Sequence, residues 1–144
     1  MRRFSRGERG QAYLEFIILL PVVLLLIAGV IFFGRVLYVQ IALDNAAYDG
    51  MRAGIASLNT GRELQQANAA TRETLAGYYL DPYAARIAVG GFTGGRGNRL
   101  WCQVAFNVYV GDIFGLEHFY PSLTVPLAAT AYGQIEAHKS RWAN

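Results

Sequence analysis

The chain is poor in cysteine and in charge. Cys102 is its only cysteine, which excludes an intramolecular disulfide and a cysteine-built zinc site. Charged residues make up 16% of the 144 residues and hydrophobic residues 53%, a balance too apolar for a disordered chain. The length leaves room for one compact domain and an attached segment, and excludes several domains.

The small net charge is concentrated at the N-terminus. The formal net charge is +3, from 13 Lys and Arg against 10 Asp and Glu. Four arginines and one glutamate lie in the first ten residues, so the rest of the chain carries nine charges of each sign. Composition therefore gives no support to a basic nucleic-acid groove on the folded body.

A long uncharged segment follows this basic tip. The 19 residues from Phe16 to Gly34 carry no charge, and at about 1.5 Å per residue they cross the ~30 Å apolar core of a bilayer. The arginines before them place the N-terminus in the cytoplasm. The alternative is a secretory signal peptide, but the run is longer than such signals have, no small-residue cleavage site follows, and the helical pattern continues. The sequence predicts a cytoplasmic tip (1–10), a transmembrane helix (11–35) and an extracytoplasmic domain (36–144).

Glu15 stands where the tip meets the apolar run, in the block RGQAYLEF of residues 9–16. A carboxylate inside a spanning helix costs about 2–3 kcal/mol unless it is paired. A cut after Gly10 would give Gln11 a new α-amine, largely protonated at neutral pH, as a partner for Glu15. That amine is either in the same chain, one helical turn back, or in a neighbouring subunit, and the helix N-terminus also favours the carboxylate.

The same block resembles the cleavage motif of type IV pilin-like precursors, in particular the TadE-like pseudopilins of the tight-adherence (Tad) group. There a prepilin peptidase cuts after a glycine that precedes a glutamate and an aromatic residue, which implies a cut between Gly10 and Gln11 ahead of Glu15 and Phe16. The resemblance extends to a proline in a leucine-rich run, two glycines, an arginine and a small-residue stretch: Pro21, Gly29, Gly34, Arg35 and residues 46–54. Three positions of that stretch depart from the family pattern: Tyr48, Asp49 and Met51.

The resemblance implies a structural protein of the inner (plasma) membrane whose basic leader is removed by cleavage. After processing it would be assembled into, or needed for assembly of, a Tad-type pilus (fimbrium) for adhesion and surface colonisation, and would lie in the pilus or the periplasm. The implied partners are the prepilin peptidase, other pilin subunits, the platform proteins and motor ATPase, and the lipid bilayer. The alternative is a single-pass anchored periplasmic binding or scaffold protein that does not polymerise.

The helix is predicted to continue beyond the membrane, to about Leu58, because small and apolar residues keep recurring with a helical period. A stripe of small residues spaced by four lies on this part: Ala42, Ala46, Gly50 and Gly54. It lets another backbone come close, either the domain's own sheet or a neighbouring helix. Pro21 either loosens the helix locally, a feature similar to the melted segment of pilins in filaments, or is a kink tolerated in the bilayer.

The rest of the chain predicts a pilin-like α+β domain. A capping box from Thr60 to Glu63 starts a second short helix that stops at Asp81-Pro82. Its inner side is predicted to comprise Leu64, Ala67, Thr71, Leu75 and Tyr78 or Tyr79. Period-two alternation then predicts strands at about 85–90, 101–110 and 124–135. They would form a three-stranded antiparallel sheet packed against the long helix.

Nothing in the sequence points to an enzyme, a cofactor or a metal. The glycine-rich residues 90–97 lack the Lys-Ser/Thr of a phosphate-binding loop and read as a flexible hairpin. His118 and His138 lack metal-ligand spacing, and Cys102 shares the apolar side of its strand. The aromatic loop 112–123 either plugs the space under the sheet or contacts another subunit.

Overall fold

The computed structural model describes residues 7–57, 62–91, 99–109, 111 and 124–134, with only the backbone of 7–12. The elements are α1 (Gly7–Ala56), α2 (Glu63–Gly77), β1 (Arg86–Gly90), β2 (Arg99–Tyr109) and β3 (Thr124–Gln134). The chain divides into two compact units, Met1–Arg35 and Val36–Asn144. The predicted α+β class, with one long apolar helix, a second short helix and a three-stranded antiparallel sheet, is confirmed.

Helix α1 changes character along its length. From Phe16 to Gly34 it carries no charge on any side, and the large hydrophobic side chains of this part are mostly exposed. It remains a single helix through Pro21. From Val36 onward it is amphipathic, and its buried residues recur at helical spacing: Val39, Ala42, Leu43, Ala46, Ala47, Gly50, Met51 and Gly54. That spacing is typical of a helix with one face in a core.

Helix α2 begins later than the capping box predicts. Its N-cap is Arg62, which makes no side-chain capping hydrogen bond. Thr60, the first residue of the predicted box, lies outside the described residues. The buried side of the helix consists of Glu63, Ala67, Thr71 and Leu75. Leu64 was predicted on this side and is exposed, because burial at every fourth residue counted from Glu63 leaves it on the outside.

Helix α2 also ends four residues before the predicted stop at Asp81-Pro82. The Leu80 amide donates to the Leu75 carbonyl (3.1 Å) and the Tyr79 amide to the Ala76 carbonyl (3.0 Å). This is the Schellman arrangement, which requires a left-handed residue just after the helix. Tyr79 fills that position with φ 56°. Its ring is 93% exposed, whereas Leu80 turns into the core.

The sheet has the order β1-β2-β3 with both pairs antiparallel. β2 is central, with Val89 opposite Cys102 in β1 and Ala131 opposite Cys102 in β3. The predicted alternation of β2 is confirmed, since Leu100, Cys102, Val104 and Val108 are buried. These side chains form one core with the inner face of α1, with Leu75 and with the inward residues of β1 and β3.

Candidate functional site

The exposed apolar surface of the first unit is the most unusual feature of the molecule. Its large hydrophobic side chains from Tyr13 to Phe33 are mostly exposed, Phe16 by 61%. A soluble monomer seldom leaves an apolar patch of this extent uncovered. Among the described residues, one helix is long and apolar enough to cross a membrane, and none of its most apolar stretch is buried within the fold. Because that stretch is unburied, it is not the core helix of a soluble domain.

The residues of the predicted processing site all lie on this helix. Gly10 and Gln11 have helical backbones, and Glu15 and Phe16 are exposed side chains on its next turn. Pro21 lies one and a half turns further, inside the same helix. Gly29 and Gly34 have nothing within 4 Å of a Cβ built on them. The surface of this helix therefore lacks side chains at Gly29 and Gly34, and another helix backbone has room to approach at these two positions.

The small-residue stripe lies in the second unit, against the chain's own elements. Ala42 and Ala46 are fully buried. A Cβ on Gly50 would overlap the Thr71 hydroxyl, and one on Gly54 would lie 2.7 Å from Leu100 Cδ2. The small residues of this stripe therefore allow α2 and β2 to pack close to the backbone of α1.

Polar side chains fix α2 on α1 next to this contact. Thr74 Oγ1 donates a 2.8 Å hydrogen bond to Asp49 Oδ2, and Asn45 Nδ2 donates a 2.6 Å bond to the Tyr78 hydroxyl. On the other side of α1, Gln40 Nε2 donates to the carbonyl of Ala128 in β3 (3.3 Å). These bonds join the three elements at defined positions, which makes the second unit a rigid frame.

Cys102 is an inert thiol in this frame. It is fully buried, and its Sγ lies 3.7 Å from the Thr71 hydroxyl. Burial raises the pKa of the thiol above its ordinary value of 9.0, and the contact with Thr71 offsets part of that rise. A thiol held protonated and out of solvent is neither a nucleophile nor a metal ligand at neutral pH.

No cluster of three or more His, Cys, Asp or Glu side chains occurs within the described residues. His118, His138, the loop 112–123 and most of the glycine-rich segment 90–97 lie outside the described residues. The predictions made for those segments stay predictions.

Sequence reasoning missed two features of the second unit. Glu63 is buried, and its Oε2 has no hydrogen-bond partner among the described residues, whereas the sequence assigns Glu63 only to a helix cap. The second feature is the outward side of the sheet, whose composition the period-two alternation does not by itself reveal. The signal for the second was present, because the outward residues of β2 include Arg99 and Trp101.

The molecule thus combines one helix able to span a membrane with a small α+β domain. Residues 10–52 match the family model described as TadE-like protein. This segment runs from the residue before the proposed cut into the part of α1 that lines the domain core, and the resemblance found from its motif is confirmed. The match covers 43 of the 144 residues and indicates similarity to a family of structural, Tad pilus-associated proteins. Comparison with curated proteins and with solved structures gave no match.

Proposed function

We propose that the chain is a pilin-like subunit, made as a membrane precursor and processed by a prepilin peptidase between Gly10 and Gln11. In this proposal residues 1–10 are a cytoplasmic leader, residues 11–35 lie in the inner membrane, and residues 36–144 lie outside the cytoplasm. The processed subunit is assembled into, or is required to assemble, a Tad-type pilus used for adhesion and surface colonisation. Its partners are the peptidase, other pilin subunits, and the platform and motor of the pilus machine.

The observation that carries the proposal is the exposed apolar part of α1, which begins directly after the proposed cut and lies within the TadE-like segment 10–52. Every apolar side chain that leaves the lipid must be buried again, at about 25 cal/mol per Å² of surface. A filament of parallel helices provides that burial, and Gly29 and Gly34 leave space for close approach. A monomeric anchored scaffold would keep the helix in the bilayer and would need no leader removal.

Glu15 has a specific part in this proposal. In the uncut chain the carboxylate has no α-amine beside it, whereas processing creates one at Gln11. An ion pair buried between subunits adds little net stability, but a buried carboxylate left without its partner is strongly unfavourable. Glu15 would therefore select the register in which each helix enters the filament.

The test is the intact mass of the protein extracted from membranes of cells that carry the complete Tad machinery. The expected mature species begins at Gln11 and has the mass of an uncyclised N-terminal glutamine, because cyclisation would remove the α-amine that Glu15 is proposed to pair with. Gly10→Val should abolish this species and accumulate the precursor. Gly7→Val, a matched change in the same leader, should be processed normally.

Two outcomes would count against the proposal. Full-length protein as the sole species in envelope and pilus fractions would support the anchored scaffold instead. A mature N-terminus at another residue would overturn the assigned cut.

A further inference from the structure

The sheet has a charge pattern that the other described elements of the domain lack. Its strands of 5, 11 and 11 residues contain no Asp or Glu. Their only charged residues are Arg86 and Arg99, and both side chains are exposed. The described acidic residues of the second unit lie on the helices and the turn after α2, so the sheet offers an anionic ligand attraction without repulsion.

The strand register places the outward side chains in rows across the sheet. Gly90, Trp101 and Tyr132 form one row, and Gln103 with Thr130 forms the next beside Ala88. Arg99 and Gln134 lie beyond the aromatic row, and Arg86 lies on the other side, opposite Ala105. Arg86 and Arg99 are thus separated by about six residues along β2, or roughly 20 Å.

An aromatic platform lies between the two arginines. The Trp101 ring extends over Gly90, where an added Cβ would be 2.5 Å from it. Tyr132, opposite Trp101 in the register, is 72% exposed. An open depression of about 210 Å³ adjoins this row and is lined by Arg99, Tyr132, Gly133 and Gln134. It is smaller than a site that encloses a whole small molecule, and this favours one unit of an extended ligand.

We propose that this outward face, defined by Arg86, Arg99, Trp101, Gln103, Thr130 and Tyr132, binds an extended acidic polysaccharide. Aromatic rings stack against the C–H faces of sugar rings, amide and hydroxyl groups bond to sugar hydroxyls, and guanidinium groups pair with carboxylates. A sheet face with a cation on either side of an aromatic row suits a chain of sugars that carries carboxylates at intervals.

Single-stranded nucleic acid is the competing polyanion, since bases also stack on aromatic rings. Nucleic-acid binding relies on contacts with many phosphates, and this face offers two arginines on a body with no net positive charge. The observations therefore favour a polyanion whose sugar rings and hydroxyl groups contribute to binding beside its carboxylates.

The experiment uses the full-length protein in detergent and measures binding of oligogalacturonate, neutral dextran and oligo-dT by calorimetry. Oligogalacturonate should bind, should bind more weakly at higher salt, and should bind far better than dextran. Tyr132→Ala and Arg99→Gln should each lower the affinity on the order of tenfold, the effect of removing one stacking ring or one charge-assisted contact. The matched changes Tyr79→Ala and Arg52→Gln alter an exposed tyrosine and an exposed arginine elsewhere and should leave it unchanged.

Gly90→Val is a positioning variant, because the added side chain displaces the Trp101 ring while removing no contact group of its own. It should weaken oligogalacturonate binding with little change in the circular dichroism spectrum.

No binding of oligogalacturonate, or equal losses in the control variants, would overturn the proposal. Tighter binding of oligo-dT, sensitive to the same variants, would reassign the face to nucleic acid. The readout is independent of cleavage and pilus assembly, so failure here and failure of the proposed function are separate results.

Discussion

The side chains of Thr71 and Cys102 meet directly against the backbone of Gly50. Thr71 Oγ1 lies 3.7 Å from Cys102 Sγ and donates a 2.8 Å hydrogen bond to the Ala67 carbonyl. That carbonyl would be 3.2 Å from a Cβ on Gly50. Elements α1, α2 and β2 therefore meet at Gly50, where there is room for a hydrogen atom but not for a larger side chain. The close packing of the three elements depends on this glycine.

Gly50→Ala should destabilise the domain by about 1–3 kcal/mol, the usual effect of adding a methyl group to a filled core. Chemical denaturation of the full-length protein in detergent, followed by fluorescence, measures the change. Gly77→Ala is the control, because a Cβ at Gly77 meets nothing within 4 Å and alanine is the better helix former. An unchanged midpoint for Gly50→Ala would show that the three elements are not closely packed here.

The Cys102 thiol should make the stability of the domain fall at alkaline pH. Burial raises the pKa of the folded thiol, so the thiol of the unfolded chain loses its proton at a lower pH than the folded one. The thiol's contribution to the free energy of unfolding is therefore fully present below the unfolded pKa and is lost as pH rises through the folded pKa. The unfolding free energy of the wild type minus that of Cys102→Ala should therefore decrease above about pH 9. A difference constant with pH would contradict this, as would rapid labelling of the native thiol at pH 8.

The elements that sequence predicted well are those with strong periodicity. The alternation around Cys102 gave β2 to within two residues, and the apolar run up to Gly34 was evident from composition alone. The C-terminal end of α2 was predicted wrongly because a left-handed Tyr79 depends on tertiary packing, and residue preferences argue against it. The ligand-binding face was not predicted, since it depends on strand register, which brings Gly90 and Tyr132 to either side of Trp101.

Tyr79→Gly should stabilise the domain by about 1 kcal/mol, because a side chain at positive φ costs roughly that much and glycine avoids it. The gain should appear as a higher denaturation midpoint, with no loss of packing since the Tyr79 ring is exposed. Tyr83→Gly is the comparison, as Tyr83 is also exposed but has no positive φ. Tyr83 also lies under the Arg72 guanidinium, 4.7 Å from its ring centre, so its replacement should lower stability or leave it unchanged. A loss of stability in Tyr79→Gly would mean that the ring has a contact that outweighs its backbone strain.

Glu15→Ala should separate processing from assembly. In the proposed function the peptidase acts at Gly10, so the mass of the mature form should be normal apart from the substitution. In the filament, however, the amine of Gln11 would be left without a partner, a loss of about 3–5 kcal/mol for a buried pair broken on one side. Pili sheared from cells and quantified by immunoblot should therefore be absent or greatly reduced, while the protein accumulates in the membrane.

Glu15→Gln distinguishes charge from shape at the same position. If the ion pair sets the register, the glutamine variant should fail like the alanine variant, because an amide leaves the amine charge uncompensated. Glu73→Ala, which removes an exposed carboxylate from α2, should assemble normally. Normal piliation of both Glu15 variants would reject the pairing of Glu15 with a processed N-terminus, whereas normal piliation of the glutamine variant alone would reduce its role to hydrogen bonding.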